Sequence, residues 1–383
     1  MDFQLSPEQR DIQQLVRSIV QQRVKPLATR WDRSHEFPWE SINALASAGV
    51  LGLTIPEQYG GAGASWFEAV LAIEEVARAC YQTAMAVLGE LGVQTQVIVH
   101  YGSDAHKERY LPPIARGELI CAICMTEPDA GSDVGSIQTR AEAADGGYVL
   151  NGSKALISRA DVAGVFITFV RFGDIPGSRG VGAVLIDRDS PGLEIGPGDE
   201  TLGGELLFPV YFHDLHVAEG AVLVKEHGFR KLMSAFNGQR CLNAAISLGQ
   251  AQGAFDEALA YVQARQQFGQ RLADFQGIQW MLSDMAIELD AARLLIYRAA
   301  ANAGAGLPDQ VEAAKAKAFA NEAAIRVSNT AIQLFGGHGY LKSMPIERYL
   351  RGARFGALAG GTPQIQRNII AESLVGRKRL PRD

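Results

Sequence analysis

The sequence predicts an α+β protein in which a helical region is followed by a β-rich region and then by a second helical region. Apolar residues recur at helical spacing near both ends of the chain, whereas the middle contains short β-rich runs separated by turn residues. Strands and helices do not alternate along the chain. Separate α, β and α domains are therefore expected rather than a doubly wound sheet. We place them at residues 1–118, 119–227 and 228–383.

The composition is that of an ordinary globular protein. Hydrophobic residues make up 47% and charged residues 20% of the 383 residues, which suits two or three packed domains. The net charge of −6 disfavours a nucleic-acid partner, because phosphate binding needs clustered Lys and Arg. No apolar run approaches the ~18 residues of a membrane span, and the N-terminal residues lack the features of a signal peptide. We therefore expect a cytoplasmic protein, and we predict no metal site.

The N-terminal region opens with a helix signal. Ser6 and Gln9 have the spacing of a capping box, and Pro7 suits the first helical position. Apolar residues continue at helical spacing to about Ala28. The glycine cluster at 60–63 is predicted to be a loop without the Lys of a P-loop. Further helices are predicted at about 39–49, 67–78 and 93–101.

The middle and C-terminal regions have different patterns. Strands are predicted at about 149–150, 165–170, 181–186 and 206–212, and long helices at about 244–265, 276–301 and 308–334. Cys121 and Cys124 lie in an apolar run that is typical of a buried strand. Residues three apart on a strand point to opposite faces, so both cysteines are expected in the core rather than in a redox or metal pair.

The segment Cys124–Asp133 is the most informative feature of the chain. It follows the apolar run and places Thr126, Ser132 and a glycine in a polar turn. Short hydroxyl side chains and free backbone N–H groups are what a loop needs to hold a flavin ring edge or a pyrophosphate. The segment therefore suits either a flavin ring edge or a pyrophosphate as ligand.

Six motifs occur in the order in which the acyl-CoA dehydrogenase family carries them, and the chain resembles that family over nearly its whole length. They lie at 56–63, 126–133, 265–269 with 275, 276 and 279, 333–340, 345–348, and 361–367. The resemblance implies an N-terminal helical domain, a central β-barrel or β-sandwich domain and a C-terminal four-helix bundle. It also implies FAD as cofactor in a site shared between subunits, and a homotetramer built as a dimer of dimers.

The FAD-binding residues that the resemblance implies form two groups. Side chains of the central region would contact the flavin ring and pyrophosphate, with Ser158 donating toward N5. In the C-terminal region, Arg265, Phe268, Gln333 and Gly337 would reach the adenosine diphosphate half of a neighbour's FAD, where the guanidinium of Arg265 suits an anion. Thr362 and Gln364 would lie near the flavin's own phosphates. The full set is Met125, Thr126, Ser132, Leu156, Ser158, Arg265, Phe268, Gln333, Gly337, Thr362 and Gln364.

The two positions at which this family carries its catalytic base hold no acid. Oxidising a thioester requires a base near the weakly acidic α-proton, and a placed base contributes roughly 10²–10⁴-fold. By the resemblance, Gly360 takes the place of the usual Glu in a Tyr-Glu-Gly-Thr loop. Gln239 takes the alternative position before Arg240, and an amide is not a useful base. Arg240 itself is expected to contribute to substrate binding.

Two more departures surround the flavin motif. Leu156 replaces an aromatic residue that packs on the ring in the family, and Arg159 introduces a cation where Asn is usual. Glu90 is the candidate for a relocated base, because it lies in an apolar stretch of a helical segment that lines the family's acyl pocket. Burial there would raise its pKa. The alternatives are that Glu90 lies on an exposed helix face and that Arg159 points to solvent.

Four functions are consistent with this pattern. The favoured one is FAD-dependent dehydrogenation of an acyl-CoA or acyl-carrier-protein thioester to a 2-enoyl thioester, with an electron-transfer flavoprotein as partner. The first alternative is a desulfinase-like lyase without net redox. That branch resembles the chain at Gln239 but uses an Arg in the N-terminal helices, and residues 82–87 contain none. The others are a non-catalytic subunit that complements a Glu-bearing chain, and a flavin-dependent monooxygenase.

Overall fold

The computed structural model of the chain describes residues 4–225 and 227–376. These residues divide into two units, which are considered separately. Unit 1 comprises residues 4–21, 65–84 and 237–376, and unit 2 comprises residues 22–64, 85–225 and 227–236. The division into three domains stays a prediction.

Helices occupy both ends of the chain, as the sequence predicted. Those in the described residues are α1 (Pro7–Ile19), α2 (Ala28–Ser34), α3 (Trp39–Ser47), α4 (Trp66–Ala79), α5 (Tyr81–Leu91), α6 (Val93–Tyr101), α7 (Asp104–Ala115), α8 (Gly228–Ala264), α9 (Gln276–Ala301), α10 (Gln310–Phe335), α11 (Ile346–Gly356) and α12 (Pro363–Val375). Ser6 caps α1 with the predicted capping box. The helical stretch predicted to continue to about Ala28 changes instead into a π turn at Val20–Val24, and α2 follows.

Helix α8 is longer than the sequence predicted, because it begins at Gly228 rather than near 244. The helical pattern is hidden there by Asn237 and Arg240, which are polar and yet buried. Gly238 lies directly against the ring of Trp66, where any Cβ would overlap the indole. A glycine and two polar residues at buried positions interrupt the apolar periodicity from which helices are predicted.

Unit 2 contains a mixed sheet. Its strands are β1 (Cys121–Cys124), β2 (Arg140–Ala144), β3 (Gly147–Ser158), β4 (Val165–Phe172), β5 (Val181–Asp187), β6 (Leu193–Ile195), β7 (Asp199–Glu200), β8 (Leu206–Ala218) and β9 (Val222–Val224). The order is β6-β8-β3-β2-β4-β5-β9, with β1 paired to β4 and β7 paired to β8. β1 and β2 run parallel to β4, and the other neighbours are antiparallel.

Both faces of β4 are covered, which explains its uninterrupted apolar sequence. Residues such as Ile167 pack with α6, α7 and the first turns of α8. Alternate residues such as Phe166 pack with apolar side chains of β3 and β8. Cys121 belongs to the first cluster and Cys124 to the second, and both are buried free thiols. The prediction that they occupy opposite faces of a core strand is confirmed.

Unit 1 is helical. Helix α10 packs against α9, α11 and α12, and α4 packs against α1 and α9. The buried carboxylate of Glu74 joins α4 to α9 by accepting from Arg293 at 3.2 Å and from the Tyr297 hydroxyl at 3.0 Å. None of the helices within residues 4–225 and 227–376 is both long and apolar enough to cross a membrane.

Candidate functional site

A buried ion pair supports the flavin-like motif of unit 2. After β1 the chain turns, and the carboxylate of Glu127 accepts from the Lys154 ammonium at 2.7 Å and from the backbone N–H groups of Gln138 and Thr139 at 2.5 and 2.9 Å. Burial alone would raise the pKa of Glu127, but Lys154 and these N–H donors hold it below its usual value. Glu127 is therefore a structural anchor for the loop.

This anchor places the motif beside the end of β3. Lys154 Nζ also donates to the carbonyl oxygen of Met125 at 3.3 Å, and the backbone N–H of Ala155 donates to that of Thr126 at 2.8 Å. The side-chain hydroxyls of Thr126, Ser132 and Ser158 form no hydrogen bond to another described residue. Hydroxyls left unpaired on a rigidly held loop are available to the polar edge of a ligand.

Leu156 adds an apolar surface to these hydroxyls. The pairing of β3 with β8 shifts register between Lys154 and Ile157, and Leu156 takes a φ of 59° there. A left-handed conformation is uncommon for a branched apolar residue, and this one leaves the Leu156 side chain 63% exposed. An exposed leucine beside free hydroxyls fits a flat ligand with one polar edge, which is the character of a flavin ring.

A second group of predicted residues lies at one end of unit 1. The chain leaves α8 through a hairpin of β10 (Gln266–Gln267) and β11 (Gln270–Arg271). Tyr261 of α8 stacks on Phe335 of α10 with ring centroids 4.2 Å apart, and its hydroxyl lies 3.2 Å from Nδ1 of His338. This stack joins the segments that carry four residues predicted to bind FAD. All four are exposed, namely Arg265, Phe268, Gln333 and Gly337.

The turn between α11 and α12 carries the remaining predicted residues of unit 1. Gly360 and Gly361 have φ values of 65° and 86°, which glycine adopts at little cost. Thr362 then caps α12 by accepting from the N–H of Ile365 at 3.3 Å, and Gln364 is exposed on the first turn. The helix N-terminus and the exposed amide suit an anionic ligand group such as a phosphate.

Glu90 and Arg159, which the sequence placed in separate elements, form a buried ion pair in unit 2. An Arg159 nitrogen lies 3.0 and 3.3 Å from the two carboxylate oxygens of Glu90 and donates to the carbonyl of Ala86 at 2.9 Å. Glu90 is fully buried and the Arg159 side chain is 9% exposed, so the exposed alternatives for both residues are wrong. Burial raises the pKa of Glu90, and the charge of Arg159 offsets only part of that effect.

Gly89 makes this ion pair possible. A Cβ at Gly89 would overlap the guanidinium of Arg159, which can approach the backbone of α5 only because position 89 has no side chain. The Arg159 backbone itself is left-handed, with φ at 65°. Sequence reasoning missed this pairing because the partners are 69 residues apart, although the Gly89-Glu90 dipeptide inside an apolar stretch was a signal of close backbone approach.

The alternative base position lies on α8 in unit 1. Gln239 is half-buried, and Arg240 is buried and donates to the side-chain oxygen of Asn237. Sequence reasoning missed another polar residue of this unit, Lys317 of α10. Its ammonium is buried and donates to the carbonyl oxygens of Gly356 and Gly361 at 2.8 and 2.9 Å. Lys317 thus holds both ends of the turn that contains Gly360.

Comparison with known proteins agrees with this arrangement. The chain matches the profile of the acyl-CoA dehydrogenase N-terminal domain over residues 6–118, the middle domain over 122–214 and the C-terminal domain over 226–375. It is 37% identical to a short-chain specific acyl-CoA dehydrogenase of Clostridium acetobutylicum, over 97% of this chain and 99% of that protein. It is also 39% identical to a 3-sulfinopropanoyl-CoA desulfinase of Paraburkholderia xenovorans, over 98% of each.

The fold is likewise similar to solved structures. The butyryl-CoA dehydrogenase of Megasphaera elsdenii superposes with a TM-score of 0.95 at 33% identity, over 98% of this chain and all of that one. Profiles, relatives and fold agree along the described helices and the middle sheet. The chain belongs to the acyl-CoA dehydrogenase family.

Proposed function

We propose that this protein catalyses FAD-dependent α,β-dehydrogenation of an acyl thioester, giving a 2-enoyl thioester. The proposal depends most on the loop of unit 2 that the buried Glu127–Lys154 ion pair fixes in place. Beside this ion pair, unit 2 presents the unpaired hydroxyls of Thr126, Ser132 and Ser158 and the exposed side chain of Leu156. Membership of the acyl-CoA dehydrogenase family supports the same reaction. We infer acyl-CoA or an acyl carrier protein as the thioester carrier and an electron-transfer flavoprotein as the electron acceptor.

FAD is the cofactor that these residues fit. When bound, FAD would supply the acceptor for the hydride that leaves the β-carbon. In unit 2 the hydroxyls of Thr126, Ser132 and Ser158, together with Met125 and Leu156, would hold the ring and pyrophosphate. Arg265, Phe268, Gln333 and Gly337 would reach the adenosine half of a neighbouring subunit's FAD. Thr362 and Gln364 would lie near phosphates.

Glu90 is the proposed acceptor of the α-proton. Both family base positions are occupied by residues without an acid, Gly360 and Gln239. A carboxylate whose pKa is raised by burial is a stronger base than an exposed one, and Arg159 keeps it oriented. Glu127 does not compete for this role, because Lys154 and two backbone N–H groups hold its pKa below the usual value, which makes it a weaker base.

A desulfinase-like lyase is the second candidate function. The observation that favours it is the position of Arg159, whose guanidinium bonds to the carbonyl of Ala86 in the very segment, 82–87, that carries no Arg of its own. The residue that follows β3 therefore supplies a cation that the sequence of this segment lacks. We rank this function second because Glu90 already neutralises Arg159, and an anionic substituent would have to displace that carboxylate.

The anaerobic visible spectrum distinguishes these functions. Acyl-CoA added to the FAD-loaded protein is expected to bleach the oxidised flavin band, because hydride transfer reduces the ring. Release of sulfite from 3-sulfinopropanoyl-CoA without bleaching would favour the lyase. Absence of both reactions across short, medium and branched acyl thioesters would contradict the proposed function and favour a non-catalytic subunit.

We further propose that the protein assembles as a homotetramer. Helix α9 exposes Trp280, Ile287 and Leu294 at 63%, 66% and 51%, and their seven-residue spacing puts them on one face. An exposed apolar stripe on a charged helix is typical of a covered interface. Sedimentation equilibrium is expected to give four times the chain mass of 41.2 kDa. Ile287→Glu should lower that mass, whereas a wild-type monomer would contradict the assembly.

A further inference from the structure

Arg159 of unit 2 is a buried cation that uses only part of its hydrogen-bonding capacity. Its side chain is 9% exposed, and one terminal nitrogen, Nη1, donates to the carbonyl of Ala86 and to the carboxylate of Glu90. Nε is buried without a partner, and Nη2 forms no hydrogen bond to another described residue. Since Nε–H and one Nη2–H of a guanidinium point in the same direction, Arg159 has a free edge with two parallel donors.

This free edge is held in place by the bonded one. Nη1 lies 2.9 Å from the carbonyl oxygen of Ala86, and the guanidinium approaches α5 where Gly89 has no side chain. A buried donor without a partner is costly, and such groups usually have an acceptor in the working protein. The free edge of Arg159 therefore favours an acceptor that a ligand supplies.

The proposed reaction brings a suitable acceptor to this position. Glu90 is the proposed base for the α-proton of the acyl thioester, and the thioester carbonyl oxygen lies only two bonds from the α-carbon. The carboxylate of Glu90 lies 3.0 Å from Nη1 of Arg159. A substrate whose α-carbon meets Glu90 therefore has its carbonyl oxygen within reach of the same guanidinium.

We propose that the free edge of Arg159 binds the thioester carbonyl oxygen and stabilises the negative charge that this oxygen gains when Glu90 takes the α-proton. The inference rests on the proposed function and adds a catalytic residue to it. In this step the α-C–H bond breaks, its proton goes to the Glu90 carboxylate, and its electron pair moves through the carbonyl carbon onto the oxygen. Donors that are already in place for that oxygen stabilise the charge as it develops.

Arg159 keeps a negative partner throughout this step. Before proton transfer the partner is the carboxylate of Glu90, with which Arg159 forms the buried ion pair. After proton transfer Glu90 is neutral, and the negative charge lies on the enolate oxygen at the other edge of the guanidinium. The buried cation is therefore never left without a counter-charge, which would be strongly unfavourable.

Isotope-edited infrared spectroscopy of bound crotonyl-CoA, labelled at its thioester carbonyl, tests the contact. On the FAD-loaded wild type the carbonyl stretch is expected at lower wavenumber than in water, because charge-assisted donors polarise the bond. Arg159→Gln should reverse most of this shift. Arg188→Gln is the matched control and should retain it, because Arg188 donates to the carbonyls of Ala160 and Ala163 in the turn that follows Arg159. The same stretch in wild type and Arg159→Gln would overturn the proposal.

Ionisation of bound 3-oxobutanoyl-CoA tests the effect on the enolate. This ligand loses a proton from its α-carbon, and the ultraviolet absorption of its enolate measures the fraction ionised. Glu90→Gln retains the guanidinium without its carboxylate, and Glu90→Gln/Arg159→Gln has neither charge. The ionisation constant of the bound ligand is expected to be at least about tenfold larger in Glu90→Gln than in the double variant. Equal ionisation constants in the two proteins would contradict the role of Arg159.

Neither measurement depends on dehydrogenation, so the inference and the proposed function fail separately. If no acyl thioester bleaches the flavin, but replacement of Arg159 changes the carbonyl stretch and the ionisation constant as expected, only the proposed function is wrong. If acyl thioesters bleach the flavin, but both properties are unaffected by the replacement of Arg159, only the inference is wrong.

Discussion

A Glu90→Gln variant is expected to lose flavin reduction by roughly 10²–10⁴-fold while FAD stays bound, since this is the contribution of a placed base. Glu90 is fully buried, and burial raises its pKa. The ionised carboxylate is therefore a stronger base than an exposed one. Stopped-flow bleaching under anaerobic conditions measures the rate, and the flavin absorbance of the purified variant measures the bound cofactor. Unchanged bleaching by a folded Glu90→Gln protein would exclude Glu90 as the base.

The ion pair dictates the controls for this experiment. Glu90→Gln leaves Arg159 buried without a counter-charge, which costs about 3–5 kcal/mol when a buried pair is broken. The double variant Glu90→Gln/Arg159→Gln removes both charges, so it should recover most of that stability without recovering reduction. Recovery of the rate in the double variant would show that the loss came from the stranded guanidinium.

The pH profile gives an independent readout of the same base. Only the ionised carboxylate accepts the α-proton, so the bleaching rate is expected to rise with pH through the raised pKa of Glu90. The acidic limb should therefore lie above the usual range for a glutamate and should disappear in Glu90→Gln. An acidic limb that persists in the variant would belong to another group.

Lys154→Met is expected to lower the free energy of unfolding by about 3–5 kcal/mol, because it strands the buried carboxylate of Glu127. Glu127 also accepts two backbone hydrogen bonds that fix the loop, so FAD affinity should fall with stability. Urea denaturation measures the first effect and FAD titration the second. Arg116→Ala serves as control, because it breaks the exposed Arg116–Glu118 pair and should leave the free energy of unfolding almost unchanged.

The same carboxylate predicts how stability depends on pH. The folded state lowers the pKa of Glu127, so its contribution is fully present above the pKa of the unfolded chain. It is lost as pH falls through the folded-state pKa. The free energy of unfolding should therefore fall less steeply in acid for Glu127→Gln than for the wild type. An acid transition that is the same in both proteins would contradict this role of the Glu127–Lys154 pair.

Much of the fold was predictable because its signals are local. Helix α9 was predicted at 276–301 and is found at Gln276–Ala301, and the strand predicted at 165–170 lies within β4. Helix α7 was not predicted, because Pro112 and Pro113 lie inside it and proline disfavours a helix interior. The helix starts before the prolines, and buried residues such as Leu111 and Ile114 hold its end in the core.

The sequence by itself determined the family, the flavin motif and the absence of an acid at Gly360 and Gln239, because these depend on residue identity in order along the chain. Only the tertiary structure decided which charges face each other. Arg159 meets Glu90 across 69 residues, and Lys317 meets Gly361 across 44. Burial and pairing set the energy of a charge, and both depend on contacts between segments that no local pattern records.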